Sequence, residues 1–265
     1  MKAKALIRAQ ALRLAALLVV SFVALQLYFA ARIALMIVVD PQSTAFQRSE
    51  GWRLLTEKGQ ILWSQQWVDY ARISPHLKRA VIASEDAGFA EHSGVEWDAL
   101  EKAWERNLLA EARAARINEL RERRAARSGK TIESAKPPRR AAPKIVGGST
   151  ITQQLAKNLF LAGERSLARK AQEFAITFML ESLLGKRRIL EIYLNNVEWG
   201  EGIFGAEAAS RHYFRTAAAQ LGAYPSARLA VMLPAPKRFE KRPHSAYVTG
   251  RAGTVVARMG AVEVP

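Results

Sequence analysis

The chain contains no cysteine and only four histidines in 265 residues. The first absence excludes disulfides, thiolate metal sites and a cysteine nucleophile. The second argues against a multi-histidine metal cluster. Acidic residues are also scarce: 24 Asp and Glu stand against 40 Lys and Arg, a formal net charge of +16. That excess points to a polyanionic partner and leaves nucleic acid, an anionic membrane face and phosphorylated or pyrophosphorylated substrates open. Strand signals are few and no internal repeat is found. With 49% hydrophobic and 24% charged residues, a packed core is expected rather than wholesale disorder. The length fits one medium domain with appendages, or two small domains.

What is present begins at the amino terminus. Lys2, Lys4, Arg8 and Arg13 precede an apolar run from Leu14 to Ala31, and after Arg32 the run resumes from Ile33 to Val39. Residues 14–39 are therefore read as one transmembrane helix, with Arg32 snorkelling to the headgroups. The basic residues 1–13 stay cytoplasmic by the positive-inside rule. A cleaved signal peptide is the rival, but its apolar stretch would be shorter and would end in a small-x-small site. Everything downstream then lies outside the cytoplasmic membrane, which makes nucleic acid a poor explanation of the charge.

Residues 40–74 read as a linker with a small membrane-proximal element. Within it, Gly51 to Tyr70 is expected to be extended or a hairpin, from the alternation of Ile61, Trp63, Trp67 and Tyr70. From Pro75 the pattern is helical, with Ser74 as N-cap and Gly88 as the stop. Helices are expected over 97–127, over 150–161 with Ser149 as N-cap, and over 167–184, 186–195, 206–214 and 217–233. The main domain is placed at 75–240 and a tail at 241–265. A basic insertion covers about 105–146; between Glu105 and Lys144 there are 12 Lys and Arg but 5 Asp and Glu. The fold class is mainly α.

Four segments carry candidate chemistry. Glu85 falls on the apolar stripe Leu77, Val81, Glu85 at a helix end, where desolvation raises a carboxyl pKa and suits a general acid or base. Asp86 and His92 could orient it; an internal salt bridge explains the same placement. Gly147-Gly148-Ser149-Thr150 turns into a helix N-terminus whose N–H groups favour anions, with Lys157 further along, or is an ordinary cap. It is not a Walker loop. Arg165, Arg169, Lys170 and Glu173 could hold a pyrophosphate, or form a plain helix ion pair. Lys186 to Asn195 reads as a packing helix.

In this order the segments resemble the peptidoglycan glycosyltransferases, glycosyltransferase family 51. The motifs are Glu85-Asp86-x-x-Phe89-x-x-His92-x-Gly94, Gly147-Gly148-Ser149-Thr150-Ile151-Thr152-Gln153-Gln154, Arg169-Lys170-x-x-Glu173, Lys186-x-x-Ile189-Leu190-Glu191-x-Tyr193-Leu194-Asn195, and Gly205-x-x-x-Ala209 with Tyr213-Phe214. No Ser-x-x-Lys occurs, so the chain resembles the monofunctional, membrane-anchored form without a transpeptidase domain. The stretch between His92 and Gly147 is longer than the family's pattern.

The resemblance implies a lysozyme-like fold and polymerisation of lipid II onto a lipid-linked glycan strand, inverting and β-1,4, with release of undecaprenyl pyrophosphate. It implies Glu85, Asp86 and Glu173 as catalytic residues. Ser149, Thr150, Gln153, Lys157, Arg165, Arg169 and Lys170 would bind substrate. No organic cofactor is expected, and no metal site made by the protein alone. Mg²⁺ or Mn²⁺ would accompany the pyrophosphate near Glu85 and Glu173. The implied location is the bacterial inner membrane, single-pass, with the catalytic domain periplasmic and cell-wall synthesis or division proteins as candidate partners. Two other readings fit parts of the pattern. One is a lytic transglycosylase or lysozyme; the other is a membrane-anchored basic scaffold.

Overall fold

The computed structural model describes residues 2–127, 142, 147–161 and 166–265. It divides into two units, residues 1–94 with 150–265, and Val95–Ser149.

In the first unit, α1 (Lys2–Leu35) is the one described helix long and apolar enough to cross a membrane, over Leu6–Leu35. It ends four residues before the expected boundary at Val39, and Met36 to Val39 form a turn. The reason is that the end of α1 belongs to the domain. Phe29, Ile33 and Met36 are buried in the core, and Phe29 meets Phe160 edge-on at 5.2 Å. Gln26 and Gln172 exchange amide hydrogen bonds at 3.0 and 2.9 Å.

The segment expected to be extended from Gly51 is instead the second half of α2 (Ala45–Lys58). Thr44 and Gln47 form a capping box that starts this helix, and Gly59 in the left-handed region ends it. Extended backbone begins only after it, and β1 (Ser64–Gln65) pairs in parallel with β3 (Ile203–Phe204). β3 in turn pairs antiparallel with β2 (Glu198–Gly200), giving the order β1-β3-β2.

The remaining helices are α3 (Pro75–Glu85), α5 (Ile151–Phe160), α6 (Leu167–Leu183), α7 (Lys186–Asn196), α8 (Ala206–Phe214), α9 (Ala223–Met232), α10 (Pro236–Glu240) and α11 (Ala246–Arg258). Packing pairs α3 with α9 and α11, and α5 with α2, α6 and α7. Leu77, Val81, Leu155, Ile176, Leu190, Tyr193 and Trp199 fill the core. The last 25 residues, read as a tail, therefore contribute a packed helix, with Val248, Ala252 and Val255 buried. The second unit contains α4 (Trp97–Arg127), which covers the helix expected there. Most of the basic insertion beyond it lies outside the described residues.

Candidate active site

The site starts at the C-terminal end of α3. Ser74 accepts the His76 N–H at its start and Pro75 occupies the first turn, as the sequence predicts. The end differs: the helix stops at Glu85 rather than at Gly88. Asp86 leaves helical geometry because its carboxylate has two partners elsewhere. Oδ1 bonds His92 Nε2 at 2.7 Å, and Oδ2 accepts the Ile151 N–H at 3.0 Å. The second contact places a carboxylate on the N-terminus of α5, where exposed donors and the helix dipole favour it. Gly94 donates its N–H to His92 Nδ1 at 3.1 Å, so the ring's proton sits on Nε2 and points at Asp86. Asp86 is thus a staple between α3 and α5.

Glu85, one residue earlier, is left partly exposed. Its Oε2 accepts the Gln154 amide at 3.0 Å, and Gln154 Oε1 accepts the Tyr193 hydroxyl at 2.9 Å. Burial pushes the Glu85 carboxyl above the usual range, and the Asp86 charge adds to that rise; hydrogen bonds from Gln154 and Ser84 oppose it. Burial also holds the Tyr193 phenol well above its ordinary value, so it remains a donor.

The cap of α5 is shifted by one residue from the expected Ser149. Thr150 is the N-cap and shares a capping box with Gln153. Thr150 Oγ1 donates to the Gly94 carbonyl at 2.6 Å. Both side chains are buried, at 3% and 1% exposure, so these two candidates set the backbone of the turn. The polar residues that α5 exposes are Gln154 and Lys157. Ser149 is exposed and is the last residue of the second unit.

On α6, Glu173 is buried and paired with both neighbouring cations, Arg169 Nη1 at 3.1 Å and the Lys170 ammonium. All three expected residues are therefore brought together. Arg165 lies outside the described residues. Gln154, Tyr193, Lys186 and Glu181 were not among the expected site residues. Lys186 Nζ donates to the His92 carbonyl at 2.6 Å and to Glu181 at 2.9 Å, while Glu181 accepts Thr152 at 2.6 Å. This frame holds the loop after Glu85 against α5 and α6. The family profile described as Transglycosylase matches residues 56–116 and 130–260, well over half the chain.

The chain belongs to the transglycosylase family.

The break in the match falls inside the basic segment. Among its curated relatives is a biosynthetic peptidoglycan transglycosylase from Burkholderia thailandensis. It is 49% identical over 246 residues, which cover 92% of this chain and 84% of that protein. One from Paraburkholderia phytofirmans is 46% identical over 253 residues, covering 95% and 92%. Transglycosylase domains are lysozyme-like, in keeping with the mainly helical architecture.

Glu85 and Glu173 each already have protein partners where the expected metal would accompany the pyrophosphate. Glu173 is already paired with two cations, and one Glu85 oxygen is taken by Gln154. Mg²⁺ is commonly held by one or two carboxylates together with waters and substrate phosphates, so a metal here would depend on the pyrophosphate, and no step is assigned to it.

Proposed function

We infer that the protein is a peptidoglycan glycosyltransferase of cell-wall synthesis that polymerises lipid II, with Glu85 as the general base. The family match and the relatives at 46–49% identity support the activity. The observation that carries the assignment of the base is the state of Glu85. It is the carboxylate at the end of α3 that has no cationic partner among the described residues, and burial raises its pKa. A desolvated carboxylate free of a cationic partner is suited to accept a proton from a hydroxyl.

In the step proposed, Glu85 removes the proton from the 4-hydroxyl of the acceptor GlcNAc. That oxygen attacks C1 of the donor MurNAc, the bond from C1 to the pyrophosphate oxygen breaks, and its electron pair leaves on undecaprenyl pyrophosphate. Configuration inverts and a β-1,4 bond forms. Arg169 and Lys170, with Lys157 on the exposed side of α5, offset the charge growing on the leaving group. Glu173 acts on that side by holding Arg169 and Lys170 in place. The Asp86 charge keeps the Glu85 carboxyl basic.

The basic start of α1 and its apolar length support a single-pass anchor with a cytoplasmic amino terminus and a periplasmic catalytic domain at the bacterial inner membrane. The test is turnover of labelled lipid II by Glu85→Gln protein in membranes. Loss of polymer with folding retained is expected. Near-wild-type polymer would overturn the assignment of the base.

A further inference from the structure

A cavity lies where α1 leaves the apolar stretch. It has a volume of about 270 Å³, and Arg32, Leu35, Met36, Val39, Asp40 and Arg48 contribute to its wall. No residue of the Glu85 site lines it.

Its walls are fixed. Arg188 from α7 donates to the Met36 carbonyl at 2.8 Å and to Asp40 Oδ1 at 2.7 Å, tying down the exit of α1. The capping box at Thr44 and the bond from Gln47 to the Asn196 carbonyl at 3.1 Å hold the start of α2. Asp40, the one carboxylate in the lining, is thus already paired with a cation outside it.

The two lining arginines have no carboxylate partner among the described residues. Arg32 Nη1 bonds the Tyr28 hydroxyl at 3.1 Å, and Arg48 Nη1 bonds Ser43 at 3.2 Å on the carbonyl and 3.0 Å on Oγ. In each case the rest of the guanidinium fork is available. A guanidinium matches the oxygens of a phosphate. The apolar part of the wall, Leu35, Met36 and Val39, continues into Ile37 and Val38, which are exposed just beyond the Leu6–Leu35 span. Two guanidiniums beside apolar wall at the end of the span offer the contacts that a lipid headgroup and its chains require.

We propose that this cavity binds the phosphate headgroup of an anionic bilayer phospholipid, with Arg32 and Arg48 as its ligands. The inference rests on reading α1 as a membrane anchor. It gives the domain a lipid contact that is independent of the substrate's pyrophosphate.

The experiment uses the full chain in nanodiscs made with and without phosphatidylglycerol. A phosphatidylglycerol carrying a photoreactive headgroup is crosslinked, and labelled peptides are mapped by mass spectrometry. Labelling of residues 32–48 is expected, falling at least about fivefold in the R32Q/R48Q double variant, in line with the attraction of two surface arginines to anionic lipid. The single variant R48Q, which leaves α1 unaltered, should show an intermediate loss. Equal labelling of wild type and variants would overturn the proposal. So would equal labelling by a phosphatidylcholine probe, or displacement by undecaprenyl pyrophosphate, which would give the cavity to the substrate's lipid. A probe on the acyl chain reports insertion of α1 separately, and lipid II polymerisation by the variants reports the catalytic reading separately.

Discussion

Gln154 donates its amide to Glu85 Oε2 at 3.0 Å while its carbonyl takes the Tyr193 hydroxyl at 2.9 Å. The ionised Glu85 carboxylate can only accept, so the amide N–H₂ faces it and the Gln154 oxygen is left to take the Tyr193 hydroxyl.

Removing that amide should shift the ionisation of Glu85, the proposed general base, in a definite direction. The bond from Gln154 lowers the Glu85 pKa, against the rise from burial. In Gln154→Leu the pKa climbs further, and less Glu85 is ionised at neutral pH. The acidic limb of kcat/KM against pH should move to higher pH, with activity falling along that limb. An unmoved limb would show that Gln154 does not act on Glu85.

Asp86→Asn should give the opposite shift together with a loss of stability. Losing the Asp86 charge lowers the Glu85 pKa, so the acidic limb moves to lower pH. An asparagine can accept from Ile151 or from His92, but with its oxygen on Ile151 its amide faces His92 Nε2, donor against donor. One buried hydrogen bond is lost, at a cost of about 1–3 kcal/mol. Thermal unfolding in detergent, read beside the pH profile, separates the two effects.

Gly94→Ala should fail through folding. Gly94 has φ +86°, and a Cβ would lie 2.7 Å from Thr177 Cγ2 and 2.8 Å from Glu181 Cγ. The left-handed penalty and the clash together cost about 2–4 kcal/mol. The carbonyl that accepts Thr150 would move with it, and with that the start of α5. A lower Tm with a proportionate loss of activity is expected.

Glu198 should make stability fall as pH rises. Burial pushes its carboxyl from 4.5 up to about 7, only partly offset by Lys237 at 3.6 Å. Below pH 4.5 the folded and unfolded chains both hold the proton. Between 4.5 and 7 the unfolded chain releases it while the folded chain keeps it, so folding loses free energy through that window. Above 7 the penalty is complete, on the order of 3 kcal/mol. Glu198→Gln should remove that slope, seen as a Tm that falls less between pH 5 and 8 than in the wild type.

Much of this site is legible in the sequence because its signals are local. Ser74-Pro75 marks a helix start, and the stripe from Leu77 to Glu85 puts the carboxylate at the buried end of one face. Arg169, Lys170 and Glu173 meet because residues three and four apart share a helix face. What was missed depends on distant pairings. Gln154 and Glu85 are 69 residues apart, and Tyr193 is a further 39 from Gln154. The early end of α3 is set by Asp86 reaching Ile151, 65 residues away. Helix α2 was open to local reading, since Thr44 and Gln47 have the spacing of a capping box; the tryptophans that suggested strand lie beyond its end.

The burial of Phe29, Ile33 and Met36 makes the end of α1 a structural part of the enzyme. Cutting the chain at residue 39 to obtain a soluble form would remove three core side chains and leave Phe160 and Gln172 facing water. Such a truncated enzyme would need detergent to cover the scar, and its instability would measure how much of the fold α1 supplies.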